Sequence, residues 1–455
     1  MSEMSQTPRS TSAPQATVSE EAPSRADRSL DPPLERPLDQ PLDRRVLLAV
    51  AVAALGYFVD LFDLVLFTIL RVPSLKAIGI TDPDELTRIG KRLLDVQLIG
   101  MLLGGLAFGM LGDRFGRLKT LFGSILLYSV ANILNAFVTD VWQYEVLRFI
   151  AGFGLAGELG AGITLVAEIL PTAKRGLGTA FVAVVGLCGA VAAAVAGKFL
   201  AWNHCYLLGG SLGLALLALR IGVAESGLFE ETRAHAHRIR RGNPLQLVWP
   251  PRRAARFALV ILSGMPIWFV GGVMFVFAPE LGRAMKIEQA IEPPRVIFWA
   301  YLGVVVGDVV SGLLSQWIQS RRRTMLGFLV ALAASIVGFF LIAPKGPWHF
   351  YLMMSAVGAA TGYWAIFVTT ASEQFGTNLR ATAATSAPNF VRAMAVPITS
   401  IWLYLKGTAA SQAAASGTAT IEATLWLGLT CVAIGFVATL LLEETFHRDL
   451  DYYEH

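Results

Sequence analysis

The sequence predicts an all-α membrane protein with twelve transmembrane helices in two pseudo-symmetric six-helix bundles. Three observations carry this prediction: composition, the number of apolar runs, and an internal repeat. Apolar residues make up 55% of the 455 residues and charged residues only 15%, against roughly 25% charged residues in soluble domains. This composition excludes a soluble enzyme, a disulfide-rich secreted domain and a nucleic-acid-binding protein, and it identifies the lipid bilayer as the surroundings of most of the chain.

The apolar residues fall into runs that are long enough to span a bilayer, which takes about 20 residues. Twelve such runs lie at 46–70, 94–112, 118–138, 143–168, 178–200, 204–223, 257–280, 296–318, 324–343, 347–372, 383–406 and 421–442. The longest polar gap separates the first six runs from the last six. The predicted domains are a disordered cytoplasmic tail at 1–45, an N-terminal bundle at 46–223, a cytoplasmic linker at 224–256, a C-terminal bundle at 257–442 and a cytoplasmic tail at 443–455.

The two halves share paired motifs at matching places. Glu168 is followed by Arg175 and Glu373 by Arg380, each at the end of an even-numbered span. Glycines four residues apart recur in spans 2 and 8, at Gly100/Gly104 and Gly303/Gly307. Small residues at this spacing let membrane helices approach closely. The repeat therefore predicts one duplicated six-helix unit, as alternating-access transporters have.

Orientation follows from the basic residues in the short loops. Loops after spans 2, 4, 8 and 10, together with the linker, carry Arg and Lys, so both termini are expected in the cytoplasm. Residues 71–93 disagree, because they hold five bases among their acids; we interpret them as a folded outer loop. The expected location is a bacterial inner membrane.

A family resemblance rests on the loop after span 2. It reads Gly109-Met-Leu-Gly-Asp113-Arg114-Phe-Gly-Arg117-Leu-Lys119 and resembles the signature loop of the major facilitator superfamily. Charge pairs in such loops hold the cytoplasmic face shut. The resemblance implies a cytoplasmic gate formed by Asp113, Arg114, Arg117, Glu168, Arg175, Glu373 and Arg380.

Three further fragments indicate the branch of the superfamily. The glycine-rich span 4 around Glu158, Glu225-Ser226 after span 6 and Glu444-Thr445 after span 12 are similar to the sugar-porter, organic-ion and aromatic-acid:proton symporter branches. The resemblance covers roughly residues 46–451. Spans 5 and 7 lack the Gln and Asn with which sugar porters bind hydroxyls, which favours an organic ion over a sugar.

Intramembrane acids are candidates for proton coupling. Asp60 and Asp63 share a face of span 1 because they are three residues apart, and Glu158 lies in the middle of span 4. We expect the two aspartates to point into a water-filled cavity, since a charge at the bilayer centre costs about 2.5–3.5 kcal/mol. Asp60-Leu-Phe-Asp63 is similar to the Asp-Gly-x-Asp of aromatic-acid/proton symporters, with Leu61 in place of Gly. A helix-anchoring hydrogen-bonded pair is the structural alternative.

An intramembrane arginine is the candidate for binding substrate. Arg392 lies in span 11, and its guanidinium suits a carboxylate; related organic-anion carriers have a basic residue in this helix. The alternative is a purely structural salt bridge, to an acid such as Glu373 or Asp63. The predicted substrate-binding set adds one amide and three aromatic residues near the expected cavity: Asn389, Tyr363, Trp364 and Trp268.

The sequence thus predicts proton-coupled symport of a small organic anion, an aromatic or other carboxylate, by a monomer. No cofactor, metal or nucleic-acid partner is expected, and no nucleophile–base arrangement indicates an enzyme. The alternatives are proton-coupled efflux of amphipathic or cationic compounds, a sugar or other metabolite porter, and a non-transporting sensor on a transporter fold.

Overall fold

The fold is helical throughout the described residues, which confirms the predicted all-α class. A computed structural model of the chain describes residues 44–115, 117–157, 172–225, 247, 249–408 and 417–446. Eight helical segments among them are long and apolar enough to cross a membrane. The remaining predicted spans coincide with helices that carry more charge, that are shorter, or that border residues outside this set.

In the described part of the first half, each predicted span coincides with one helix, and span 4 is described only as far as residue 157. These helices are α1 (Arg44–Ala77), α2 (Pro83–Phe115), α3 (Arg117–Asn135), α4 (Val141–Leu155), α5 (Thr172–Phe199) and α6 (Trp202–Glu225).

Among the described residues of the second half, three predicted spans are each formed by two successive helices. The helices are α7 (Pro251–Phe269), continued by a π-helix (Val270–Phe275), α8 (Ala278–Ala284), α9 (Pro293–Ile318), α10 (Arg321–Ile342), α11 (Pro347–Ala360), α12 (Trp364–Glu373), α13 (Thr377–Ala393), α14 (Ala395–Thr408) and α15 (Thr418–Leu441). Spans 7, 10 and 11 correspond to α7–α8, α11–α12 and α13–α14. Such breaks place backbone polar groups and side chains inside the bundle, where irregular backbone is tolerated in a membrane.

The predicted folded outer loop at 71–93 was wrong. Helix α1 continues to Ala77 and α2 begins at Pro83, so residues 78–82 alone connect them. Because Arg71 is charged, the sequence predicted that the apolar helix ends before it and that a loop begins there. In the structure this charge is buried against Glu280, so the helix continues through it.

Helix packing repeats between the halves. Helix α4 lies on α2 at Gly100 and Gly104, where an added Cβ would meet the α4 backbone, and α11 lies on α9 at Gly303 and Gly307 in the same way. Helix α3 packs on α4 and α6, and its counterpart α10 packs on α11 and α15. Contacts between the halves also come in equivalent pairs, α5 with α9 and α2 with α13. This is the predicted pair of pseudo-symmetric bundles, and the candidate site lies between them.

Candidate functional site

A buried ion pair joins the middle of α1 in the first bundle to the last turn of α13 in the second. Arg392 of α13 places Nη2 3.6 Å from Oδ2 of Asp60 on α1, and the two side chains are 1% and 0% exposed. The structural alternative for Arg392 was a salt bridge to an acid such as Glu373 or Asp63. The structure instead brings Asp60 to Arg392, and Asp63 packs against Gly209 of α6. Both aspartates are buried, whereas the sequence predicts that they point into a water-filled cavity.

The guanidinium of Arg392 keeps donor capacity beyond this pair. Its Nε and Nη1 atoms are buried and have no hydrogen-bond partner among the described residues. Asn389, one turn earlier on α13, donates from Nδ2 to the Thr385 carbonyl at 3.3 Å, and its Oδ1 is also without a partner in the described part of the chain. A buried polar atom without a partner costs about 1–3 kcal/mol. The geometry therefore favours a polar occupant beside Arg392.

Aromatic side chains surround the pair. The Arg392 guanidinium carbon lies 6.0 Å from the centroid of the Trp268 ring. The Trp364 indole lies close enough to the Tyr57 hydroxyl to interact with it, and the hydroxyls of Tyr57 and Tyr301 lie within electrostatic range of both Arg392 and Asp60. A planar, apolar group bearing one negative charge would match these surroundings.

Sequence reasoning missed Tyr57 and Tyr301. Tyr57 carries a usable signal, because it lies three residues before Asp60 and so shares its helix face. Tyr301 carries no signal of this kind, since its closeness to Arg392 depends on how α9 and α13 are placed.

A helix break positions Trp364. The chain turns at Thr361–Tyr363, where Gly362 lies so close to the Gly307 backbone that a Cβ would collide with it. Asp308 of α9 then accepts a hydrogen bond from the Ala365 amide at 3.1 Å. An acceptor at this position satisfies one of the free N–H groups at the start of α12. Asp308 thus fixes the first turn of the helix that carries Trp364.

The structure does not bring Tyr363 to the Arg392 group as predicted. Its hydroxyl donates to the Ser263 carbonyl at 3.0 Å, and its ring packs near Phe328. The side chain is 0% exposed. Tyr363 therefore belongs to the core of the C-terminal bundle.

A second polar cluster lies at the end of the C-terminal bundle that carries the turn between α9 and α10. Oε1 of Glu373 lies 3.6 Å from Nη2 of Arg321, and Oε2 accepts a hydrogen bond from the Thr445 hydroxyl at 2.6 Å. Arg380, predicted beside Glu373 in the gate, is near enough to act on that carboxylate electrostatically. Glu444 accepts from the Ser320 hydroxyl, and from the Arg321 and Arg322 amides at 2.9 and 3.3 Å.

The Glu444 carboxylate caps the start of α10. Partial burial alone would raise its pKa, but the hydrogen bonds from Ser320 and from the backbone amides of Arg321, Phe446 and Thr445 outweigh burial and hold the pKa below its usual value. The negative charge also lies at the helix end where backbone dipoles favour it. The segment after span 12 is thereby tied to α10.

The remaining predicted gate and proton residues lie outside what the structure describes. This applies to Glu158 and Glu168 entirely and to the side chains of Asp113, Arg114, Arg117 and Arg175. Among the described residues, no group of three or more His, Cys, Asp or Glu side chains is arranged to hold a metal ion.

Comparisons with known proteins agree with this fold. The sequence profile of the Major Facilitator Superfamily matches residues 46–400. A niacin transporter of Acinetobacter baylyi is 26% identical over 385 residues, which cover 76% of this chain and 84% of that protein. A 4-hydroxybenzoate transporter of Pseudomonas aeruginosa is 30% identical over 235 residues, 51% of this chain and 50% of that protein. A crystal structure of a D-xylose–proton symporter shares the fold, with a TM-score of 0.66 and 16% identity over 88% of this chain and 97% of that chain.

Proposed function

Since the chain belongs to the major facilitator superfamily and is a membrane transporter rather than an enzyme, we propose that it carries a small organic anion, an aromatic or other carboxylate, together with a proton by alternating access. One observation carries the proposal: Arg392 is buried between the bundles and has two nitrogens, Nε and Nη1, with no hydrogen-bond partner among the described residues. The proposed site comprises Arg392, Asn389, Trp268 and Trp364, to which Tyr57 and Tyr301 are added.

The coupling follows from competition for one guanidinium. While Asp60 is ionised, it neutralises Arg392 across the interface. A proton on Asp60 removes that charge, and the substrate carboxylate then becomes the partner of Arg392. Proton and anion enter together, so the buried site stays near neutrality, which avoids the cost of an unpaired charge. By linkage, each ligand raises the affinity for the other. Asp63 and Glu158 are the proposed secondary proton sites.

The proposed orientation places the α2–α3 turn, and with it both termini, on the cytoplasmic side. The bases that argued against this orientation are largely matched by acids. Arg71 pairs with Glu280, Lys91 with Asp95, and Arg92 with Glu145. Paired bases add little net positive charge, so the end that carries residues 78–82 is the proposed outer face. A bacterial inner membrane, a monomeric state and the gate residues Asp113, Arg114, Arg117, Glu168, Arg175, Glu373 and Arg380 complete the proposal.

Uptake by protein reconstituted in liposomes tests the function. With 4-hydroxybenzoate and nicotinate as probes, we expect an inward proton gradient to drive accumulation of at least one acid, with proton entry reported by an internal dye. Arg392→Lys is expected to lower initial uptake by about tenfold or more, because Lys lacks the planar fork for a carboxylate. Arg295→Gln, at an exposed pair with Glu292, is the matched control and should transport normally.

The coupling step has its own variant. Asp60→Asn carries a permanently neutral side chain, so substrate exchange across the membrane is expected to persist while accumulation driven by the proton gradient disappears. Accumulation at the wild-type level in this variant would rule out Asp60 as the proton site. Normal uptake by Arg392→Lys would likewise rule out the assigned anion site.

Efflux of amphipathic or cationic compounds is the second candidate. It is favoured by Asp308, a further buried acid close enough to act electrostatically on Tyr57. The same liposomes distinguish the two functions. Proton-driven movement of cationic dyes, with no uptake of either acid, would replace anion symport by cation efflux.

A further inference from the structure

A second buried ion pair joins the bundles near the end that carries residues 78–82. Arg71 of α1 donates from Nη2 to both carboxylate oxygens of Glu280 on α8, at 2.8 and 2.9 Å. The two side chains are 1% and 4% exposed. Charge-assisted bonds of this length are the strong kind, and this one connects the first and second halves of the chain.

Both partners are held by further groups from each half. Thr87 of α2 donates to Glu280 at 3.1 Å. Arg71 also donates to the Val276 carbonyl at 3.1 Å and to the Leu86 carbonyl at 3.4 Å, and its guanidinium lies 4.9 Å from the centre of the Phe277 ring. The cluster therefore holds α1 and α2 against the segment between the π-helix and α8.

Helix α1 forms two ion pairs with the other bundle, at different heights along its axis. Asp60 and Arg71 are eleven residues apart, which is about three turns and roughly 16 Å along a helix. Eleven residues bring the side chain back to nearly the same face. In the middle of α1, the helix contributes the acid Asp60 and the other bundle contributes the base Arg392. Near the end of α1, the helix contributes the base Arg71 and the other bundle contributes the acid Glu280.

We propose that Arg71, Glu280 and Thr87 form a latch that holds this end of the transporter closed and that releases in every transport cycle. A dry ion pair stabilises only the state in which both charges are enclosed together. Removing Glu280 takes the carboxylate away from the buried Arg71, and removing Arg71 leaves Glu280 with only the exposed Arg283, whose Nη2 lies 4.0 Å from Oε1. Opening this end hydrates the remaining charge, so loss of either partner favours the open state. The proposal rests on the proposed function only in assigning this end to the outer face.

A cysteine introduced at a buried position near the latch would become accessible to a thiol reagent when the latch releases. Thr399 on α14 is 0% exposed, and its hydroxyl oxygen lies 3.5 Å from Oδ1 of Asp95 on α2. In a protein whose three native cysteines are replaced by Ala, Thr399→Cys is labelled in intact cells with a membrane-impermeant maleimide. We expect Glu280→Gln and Arg71→Met to raise the labelling rate by about tenfold or more, and the charge exchange Arg71→Glu with Glu280→Arg to label more slowly than either single variant.

Milder and matched variants complete the test. Thr87→Val removes the hydroxyl, which lies 3.1 Å from Oε1 of Glu280 and 2.9 Å from the Pro83 carbonyl oxygen, without leaving a buried charge, so it should fold normally and raise labelling by a smaller factor. Arg295→Gln, at the exposed pair with Glu292, should label at the wild-type rate. Unchanged labelling in both Glu280→Gln and Thr87→Val would overturn the latch, as would a charge exchange that labels as fast as the faster single variant.

An exposed cysteine separates the latch from the proposed orientation. Thr81 lies in the short connection between α1 and α2 and is exposed. We expect Thr81→Cys to react in intact cells whatever the state of the latch. Reaction only in inside-out vesicles would overturn the orientation, and the Thr399→Cys series in those vesicles would then decide the latch by the same criteria.

Discussion

Arg392 and Asp60 form a pair whose geometry points to function more than to stability. Buried ion pairs can often be replaced by apolar residues without loss of stability, so their presence is not explained by folding. This pair is separated by 3.6 Å, and two of the three guanidinium nitrogens have no partner among the described residues. A pair made only for stability would use those donors. An arrangement that leaves them open is suited to an exchange of partners.

Asp308 supports a residue-scale prediction about stability. Asp308→Leu removes the acceptor of the Ala365 amide, which leaves a free N–H at the start of α12. Loss of a helix cap of this kind costs about 0.5–2 kcal/mol, so the melting temperature in detergent should fall. Asp308→Asn keeps an acceptor oxygen and should melt near wild type. Equal melting temperatures for Leu and Asn would mean that the bond to Ala365 does not stabilise α12.

The charges of the site could be predicted from the sequence, whereas its aromatic lining could be predicted only in part. Asp60 and Arg392 are identifiable because a charge inside an apolar run is costly and therefore rare. Tyr363 and Trp364 could not be distinguished, since both are aromatic and adjacent. Consecutive helical positions point about 100° apart, and the break at Gly362 decides that Trp364 reaches Tyr57 while Tyr363 faces the core.

At the scale of elements, close helix approach depends on particular glycines. Gly303 of α9 lies against the Ser355 carbonyl of α11, whereas an added Cβ at Gly312 of the same helix would meet nothing within 4 Å. The two positions share a helix and a residue type but differ in surroundings. They therefore separate the cost of crowding from the general effect of replacing glycine by alanine.

Gly303→Ala is expected to destabilise the protein by about 1–3 kcal/mol, because α9 and α11 must move apart. Gly312→Ala should be neutral or stabilise by up to about 1 kcal/mol, as alanine is the better helix former. Thermal unfolding of the two variants in the same detergent measures the difference. If Gly303→Ala melted as high as Gly312→Ala, the close approach of α9 and α11 would not depend on Gly303.

The cap formed by Glu444 predicts a pH dependence at the start of α10. Its pKa is lowered in the folded protein, so the stabilisation is fully present above the ordinary Glu value of about 4.3 and is lost as the pH falls through the lower folded value. Hydrogen-exchange protection of the Arg321 and Arg322 amides, corrected for the intrinsic rate, should therefore drop only in acid. Glu444→Gln should show reduced protection at neutral pH and no further acid-dependent drop; a drop as large as that of wild type would assign the effect to another group.

At the scale of the whole molecule, the twelve-span fold was predictable because lipid requires every spanning segment to be a long apolar helix. The broken spans and the helical continuation of α1 were not predictable from composition. Arg71 reads as a loop residue until Glu280, more than 200 residues away, neutralises it. Pairing with acids, across the interface for Arg71 and within the first bundle for Lys91 and Arg92, is also how an end rich in bases fits the proposed outer face.

Alternating access makes a final prediction about that end. A Cβ at Gly197 of α5 would lie 3.8 Å from Cγ of Pro294 on α9, so side chains at these two positions face each other between the bundles. With the three native cysteines replaced, Gly197→Cys together with Pro294→Cys should form a disulfide between the bundles. That bond should stop transport, because α5 and α9 must separate for this end to open, and a reductant should restore it.

Each single cysteine variant is treated with the same oxidant as a control. The Gly197→Cys variant also measures the effect of crowding Ile69 by a side chain at position 197. Transport should continue in both. Full transport by protein that is completely cross-linked would mean that α5 and α9 stay together throughout the cycle. The bundles would then not separate at this end, and the latch formed by Arg71, Glu280 and Thr87 would have no opening to control.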